Sequence, residues 1–149
     1  EKHANMNKFN QKMDYVLYEL QLHGESYDIA YREMFEDHIK DTIEDELADA
    51  CIRLFDLAGL RNIDLDCIEY ENSDHDDYTE MSFTEAIMNI TRQVVGAEPG
   101  YRYIENNIYL SLNEMFAFCK QKGIDIFWHI DQKMEYNKLR GYHHGGKKY

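Results

Sequence analysis

The sequence predicts an all-α protein, and three observations support that prediction. Apolar residues recur at alternating three- and four-residue spacing along most of the chain, which is typical of amphipathic helices. The chain contains one proline, Pro99, so the strongest helix breaker is nearly absent. Capping residues and glycines stand at the ends of the periodic stretches, whereas no stretch shows the alternating pattern of a strand.

The N-terminal half predicts a first helix over Asn5–Leu22 and a second that begins after the capping residue Ser26. The clearest amphipathic helix covers Thr42–Ala58, with Gly59 placed to stop it. Whether the stretch from Ser26 to Ala58 forms one helix or two, with a kink at residues 40–42, stays open at this level.

The C-terminal half begins with a possible short helix over Asn62–Tyr70 and an exposed acidic loop over 71–77. The spacing of Ser82 and Glu85 predicts a capping box, in which each side chain accepts a hydrogen bond from the other residue's backbone N–H. The predicted helices of this half are Phe83–Val95, Tyr103–Lys122 and, after the capping residue Asp125, Ile126–Leu139. Residues 141–149 are expected to form a loosely held tail.

Composition narrows the class of protein. A chain of 149 residues is expected to form one domain, and its formal charge of −13 disfavours binding to nucleic acid or anionic lipid. No apolar run approaches the roughly 20 residues that cross a bilayer. The three cysteines are far apart and lie mostly in apolar patterns, so we expect reduced core residues and a cytoplasmic location. Because residue 1 is Glu rather than Met, we also expect a domain truncated at its N-terminus.

A pair of carboxylates near the start of the acidic helix is the first candidate site. Glu46 and Asp49 are three residues apart, so both project from the same side of a helix and offer oxygen ligands to a hard divalent cation. The predicted buried stripe of this helix consists of Ile43, Leu47, Ala50, Leu54 and Leu57. Glu46 lies about 70° around the helix from the centre of that stripe, at the edge of the core. The alternative is a solvated acidic flank in which Asp49 pairs with Arg53.

A polar triplet on the last helix is the second candidate site. Lys133, Asn137 and Arg140 continue the spacing of Ile126 and Ile130, so all five share one face. Inward-facing donors are costly unless an anionic or polar group meets them, and Lys and Arg suit phosphate oxygens. The alternative is that this end of the helix projects past the core into water.

Both motifs resemble those of a known family. Glu44-Asp45-Glu46-Leu47-Ala48-Asp49, with the following residues to Gly59, resembles the MazG-like all-α nucleoside triphosphate pyrophosphohydrolases. The stretch from Lys133 to Arg140, with Tyr142 and the Gly-Gly-Lys-Lys tail, is similar to the close of the same family's domain. The segment between the motifs is longer than in minimal members and resembles an inserted helical hairpin.

The resemblance implies a helical bundle that completes its site as a homodimer or homotetramer. It implies Mg²⁺-dependent hydrolysis of a nucleoside triphosphate to a monophosphate and pyrophosphate, with Glu46 and Asp49 as catalytic metal ligands. Lys133, Asn137, Arg140 and Tyr142 would bind the substrate. The family also carries a first acidic pair, Glu-x-x-Glu, on the preceding helix, but three residues after Glu19 stands Leu22, which cannot bind a metal.

Two explanations for that departure stay open. Either the first pair lies upstream of Glu1, which we favour, or half of the acidic site has been lost and activity with it. Two rival functions follow: a catalytically impaired nucleotide-binding sensor of the same fold, or a helical oligomerisation module without a ligand.

Overall fold

The computed structural model describes residues 20, 24, 26–66, 77–95 and 104–140. Across these residues the chain forms helices and no strand, which confirms the predicted all-α class. The helices are α1 (Tyr27–His38), α2 (Ile43–Arg61), α3 (Phe83–Val95), α4 (Ile104–Gln121) and α5 (Ile126–Leu139). The predicted first helix over 5–22 except residue 20, most of the acidic loop, and Tyr142 with its tail lie outside the described residues.

A turn separates α1 from α2, which settles the question of one helix or two. Ser26 caps α1 as expected, because its hydroxyl accepts a hydrogen bond from the Ile29 amide at 3.4 Å. After α1 the backbone of Asp41 adopts a left-handed conformation, with φ of 61°. A left-handed residue breaks the path of a right-handed helix, so α1 and α2 are separate helices. Asp adopts this conformation at a lower cost than most residues with a Cβ atom.

Helix α2 runs past Gly59 to Arg61, which corrects the predicted end of the helix. The terminating residue is Asn62, which has a positive φ of 52°. Its amide donates to the Gly59 carbonyl at 3.2 Å, and the Ile63 amide donates to the Ala58 carbonyl at 3.0 Å, the paired bonds of a Schellman motif. Residues 62–66 are not helical, so the predicted short helix does not begin at Asn62.

The remaining helices have the predicted bounds to within one residue. The capping box at the start of α3 is present: the Ser82 amide donates to Glu85 at 2.9 Å and the Glu85 amide donates to the Ser82 hydroxyl at 3.4 Å. Gly123 ends α4 with φ of 71°, a conformation that glycine adopts at little cost. Helix α5 begins at Ile126 as expected.

The described residues divide into two compact units. The first contains the residues up to Asp49 together with those from Phe127 onward, and the second contains Ala50–Ile126. The acidic motif over 44–49 and the basic motif over 133–140 therefore belong to the same unit. The segment between the motifs supplies the other unit.

The core of the first unit is an aromatic contact between α1 and α5. The rings of Phe35 and Tyr136 lie parallel, with centroids 4.2 Å apart and planes within 11°. Tyr31 adds a polar contact, because its hydroxyl lies 2.6 Å from the Gln132 side-chain oxygen and 3.1 Å from the Gln132 carbonyl. The same cluster includes Met34 and Ile39, with Trp128 and Leu139 packed against it.

The second unit is organised around α4, against which α3 packs. Phe118 of α4 contacts the rings of Tyr78 and Phe83, with centroids 5.6 and 6.0 Å away. The Tyr78 hydroxyl donates to the buried Glu114 carboxylate, and the Tyr78 amide donates to Gln121 at 2.6 Å. These contacts hold the segment before α3 on the surface of α4.

The described cysteines behave as core residues, as the sequence predicted. Cys51 and Cys119 are fully buried and unbridged. Burial raises the pKa of the Cys51 thiol to about 12, so this sulfur stays protonated and unreactive at neutral pH.

Among the described helices, none combines the length and the apolarity that crossing a bilayer requires.

Replacing Phe35 with Ala is expected to lower the free energy of unfolding by about 3–5 kcal/mol, because it removes a fully buried ring from the α1–α5 contact. Chemical denaturation followed by circular dichroism measures this loss. Ile29→Ala on the same helix is the control: its side chain is exposed, so the change should stay within about 0.5 kcal/mol. Equal losses for both variants would contradict the assigned core.

Candidate functional site

The carboxylates at the start of α2 lie in different environments. Glu44 and Asp45 are buried, Glu46 is exposed, and Asp49 is half-buried. The prediction that Glu46 is at the edge of the core is therefore wrong. The carboxylates that enter the core are its neighbours Glu44 and Asp45, which are 4% and 1% exposed.

A rotation of the buried face explains this difference. The deepest positions of α2 are Ala48, Cys51 and Ala58, each one residue beyond a member of the predicted stripe. One residue corresponds to about 100° around the helix axis. Most of the larger aliphatic residues of the predicted stripe are only half-buried, whereas Leu47 is buried. The shift carries Glu46 to the solvent side.

Asp45 is anchored within the turn that precedes α2. Its Oδ2 accepts a hydrogen bond from the Asp41 amide at 3.2 Å, and its own amide donates to the Thr42 hydroxyl at 3.2 Å. The Thr42 hydroxyl in turn donates to the Ile39 carbonyl at 2.6 Å. The spacing Thr42-x-x-Asp45 is that of a capping box, so the sequence did contain a signal for the importance of this residue.

Lys133 of α5 meets Asp45 directly. Its Nζ atom lies 2.8 Å from Oδ1 and 2.9 Å from Oδ2, although 88 positions separate the two residues in the chain. The side chain of Lys133 is 11% exposed, and its ammonium group also lies 5.7 Å from the centre of the Phe35 ring. The expectation that Lys133 points inward toward an anion is therefore met, and the anion in contact with it is a carboxylate of the protein itself.

The other members of the polar triplet lie nearer to solvent. Asn137 is half-buried, and the exposed Arg140 places its guanidinium carbon 5.3 Å from the centre of the Tyr136 ring. A guanidinium over a ring keeps its N–H donors at its rim, where they can meet a ligand. Tyr142, the fourth predicted substrate residue, lies outside the described residues.

Tyr136 connects this face of α5 to α1. Its hydroxyl donates a hydrogen bond to Glu36 Oε1 at 2.8 Å. Burial, followed by the contact with the Glu36 carboxylate, raises the pKa of Tyr136 above its ordinary value near 10. The phenol is thus kept in its protonated, donating form.

The structure also shows which helix precedes the acidic helix. In the described chain that helix is α1, and it carries Glu33 and Glu36, which are both exposed. They are three residues apart on one helix, so Glu33-x-x-Glu36 has the pattern and the helical placement that the resemblance implies for a first acidic pair. Sequence reasoning missed this pair because it tested Glu19 and did not consider α1.

The ligands available to a metal can be compared with the needs of Mg²⁺. Within residues 26–66, 77–95 and 104–140, no three His, Cys, Asp or Glu side chains form a group that could hold a metal ion. Glu46 and Asp49 do offer two carboxylates on one helix. Mg²⁺ is commonly held by one or two carboxylates together with substrate phosphates, so this pair suits an ion that binds with a nucleotide.

Comparisons of the chain with models of protein families, with curated proteins and with solved structures find no match. A function is therefore inferred from the residues and contacts of the chain itself.

Tyr136→Phe is expected to flatten the loss of stability at alkaline pH. The folded-state pKa of Tyr136 is raised, so the protonated phenol contributes to the free energy of unfolding. This contribution is complete below about pH 10 and is lost as the pH rises through the folded-state pKa. Urea unfolding between about pH 9 and pH 11 measures the effect. At pH 7 the variant should lose only about 1 kcal/mol, the usual value of one hydrogen bond. Parallel pH profiles for the two proteins would contradict this role.

Proposed function

We propose that this protein is a Mg²⁺-dependent nucleoside triphosphate pyrophosphohydrolase, which cuts between the α and β phosphates to release a monophosphate and pyrophosphate. The proposal rests on the resemblance of two motifs to the MazG-like family. One structural observation supports it above the others: the two motifs belong to one compact unit and touch through Asp45 and Lys133.

The contact matters because a site for a metal-chelated polyphosphate needs acidic and basic groups side by side. Carboxylates hold the metal, while cations and amide donors bind the phosphate oxygens. The acidic and basic motifs are distant in sequence, so their meeting is a property of the fold and not of local spacing. A solvated acidic flank and a helix end in water, the two alternatives, require no such meeting.

Each candidate residue has a role that its position suits. Glu46 and Asp49 of α2 would hold the metal together with a first acidic pair, Glu33 and Glu36 of α1. Bound Mg²⁺ would lower the pKa of an attacking water and polarise a phosphoryl oxygen.

The basic face of α5 would bind the rest of the substrate. Arg140 would offset the negative charge that develops on the pyrophosphate leaving group, and Lys133 would donate a hydrogen bond to a phosphate oxygen of the bound substrate. Asn137, which can both donate and accept, would hydrogen-bond the nucleoside, and Tyr142 is assigned to substrate binding by resemblance alone.

The segment between the motifs that we assign to an insertion contains the α3–α4 pair. The second unit, Ala50–Ile126, contains this pair together with the later part of α2. Several of its apolar side chains are exposed, and Leu60, at 81%, is the most exposed. We propose assembly into a homodimer or homotetramer, in which such side chains would be covered.

Asp49→Asn should lower the rate of Mg²⁺-dependent release of pyrophosphate from a nucleoside triphosphate by roughly 100-fold or more. The reason is that a bound metal supplies several kcal/mol of transition-state stabilisation, and each 1.4 kcal/mol is about tenfold in rate. Glu46→Gln should behave alike. Asp56→Asn is the matched control, since Asp56 is an exposed carboxylate further along α2 and should leave the rate unchanged.

The products of that assay separate the rival functions. Unchanged turnover in Asp49→Asn would end the assignment of the metal ligands. Nucleotide binding without product in the wild type would instead indicate a sensor. Absence of any nucleotide-induced shift in melting temperature would indicate a helical interaction module, because a ligand selective for the folded state must raise its stability.

Glu33→Gln tests the proposed first acidic pair. We expect a loss of activity comparable to that of Asp49→Asn, with an unchanged melting temperature, because Glu33 is exposed. Asp28→Asn, another exposed carboxylate of α1, is the control and should retain full activity. If Glu33→Gln is as active as the control, the first pair lies elsewhere.

A further inference from the structure

The Asp45–Lys133 ion pair carries a consequence for how the substrate is bound. Both groups are largely removed from water, at 1% and 11% exposure, and the ammonium lies within 2.9 Å of both carboxylate oxygens. A buried ion pair often adds little net stability, because removing two charges from water offsets their attraction. Apolar residues of similar size would fill the same space, so stability alone does not account for the pair.

The geometry leaves Lys133 able to serve a second partner. An ammonium group has three N–H donors, and the two oxygens of Asp45 occupy at most two of them. The remaining exposure of the side chain shows that a part of it reaches the surface of the first unit. The Phe35 ring, 5.7 Å from Nζ, closes another side of the group.

Asp45 is itself fixed relative to the proposed metal ligands. Its carboxylate accepts a hydrogen bond from the Asp41 amide, and its own amide donates one to the Thr42 hydroxyl. The carboxylate is therefore immobilised in the first turn of α2. Glu46 is the next residue of the same turn. A lysine held by Asp45 is therefore held at a set position relative to Glu46.

We propose that Asp45 is a positioning residue for substrate binding. It holds the Lys133 ammonium in place so that the remaining donor meets a phosphate oxygen of the metal-chelated nucleotide. A free lysine side chain loses much rotamer freedom when it binds, and a lysine already held loses little. Asp45 also cancels the charge of its partner, so the pair orders one donor without adding net charge to the core. This inference rests on the proposed function and names a residue outside both acidic pairs.

The test compares Asp45→Asn, Asp45→Glu, Lys133→Met and the double variant Asp45→Asn/Lys133→Met. The measurements are KM and kcat for Mg²⁺-dependent hydrolysis, at a temperature where every variant is folded. Asp45→Asn should raise KM about tenfold and change kcat little, because the contact acts in binding. In the Lys133→Met background, Asp45→Asn should raise KM no further. Asp45→Glu, which keeps the charge but lengthens the side chain, should give an intermediate KM.

Tyr31→Phe is the matched control. It removes another polar contact between α1 and α5, the hydrogen bond of Tyr31 with Gln132, without touching Lys133. Its KM should equal that of the wild type. An ion pair with only a structural role would lower the melting temperature of Asp45→Asn without changing KM, and that result would overturn the proposal. If Asp45→Asn does not fold, a wild-type KM for Asp45→Glu would overturn it equally.

A second measurement separates this inference from the proposed function. Titration calorimetry with Mg²⁺ and inorganic tripolyphosphate reports anion binding without hydrolysis. If the wild type binds tripolyphosphate but does not hydrolyse nucleotides, the proposed activity fails, and about tenfold weaker binding by Asp45→Asn would still support the positioning role. Equal binding by both proteins, or no binding by the wild type, would overturn it. Hydrolysis with unchanged KM in Asp45→Asn would overturn the positioning role alone.

Discussion

The contact between Asp45 and Lys133 is the interaction on which the arrangement of the candidate site depends. It joins the first turn of α2 to the middle of α5 across 88 positions of sequence. The pair works together with the parallel rings of Phe35 and Tyr136, which bring α1 and α5 together. One side of α5 is thereby held by two contacts. The apolar contact of Tyr136 with Phe35 stabilises the unit, and the polar contact of Lys133 with Asp45 fixes the position of α5 relative to the first turn of α2.

The first turn of α2 also shows how a one-residue rotation changes the chemistry of a helix. The buried face is centred on Ala48, Cys51 and Ala58, so Glu46 turns outward. Asp45 lies about 100° from that centre and is buried by its contact with Lys133. The buried carboxylate requires a partner and finds one in Lys133. The outward carboxylate stays hydrated and accessible, which is what a ligand for an incoming metal–nucleotide complex needs. The two neighbouring acids thus suit different tasks.

The division into two units separates the proposed chemistry from the rest of the described chain. The motif residues belong to the first unit, and the second is stabilised by its own contacts, such as Tyr78 and Phe118 against α4. A segment that forms its own core can be accommodated between two motifs without supplying residues to their site. The exposed Leu60 of the second unit suits the proposed assembly of several copies.

The sequence by itself determined the all-α class, the caps at Ser26 and Ser82, and the bounds of α3 and α5, because these features depend on local periodicity and on hydrogen bonds within a few residues. It did not determine the end of α2: Gly59 permits a turn but does not require one, and Asn62 made it instead. Only the tertiary structure decided that Asp45, and not Glu46, enters the core and meets Lys133. Periodicity locates the apolar face of a helix to within about one residue, whereas the choice between adjacent acids depends on a partner that is distant in sequence.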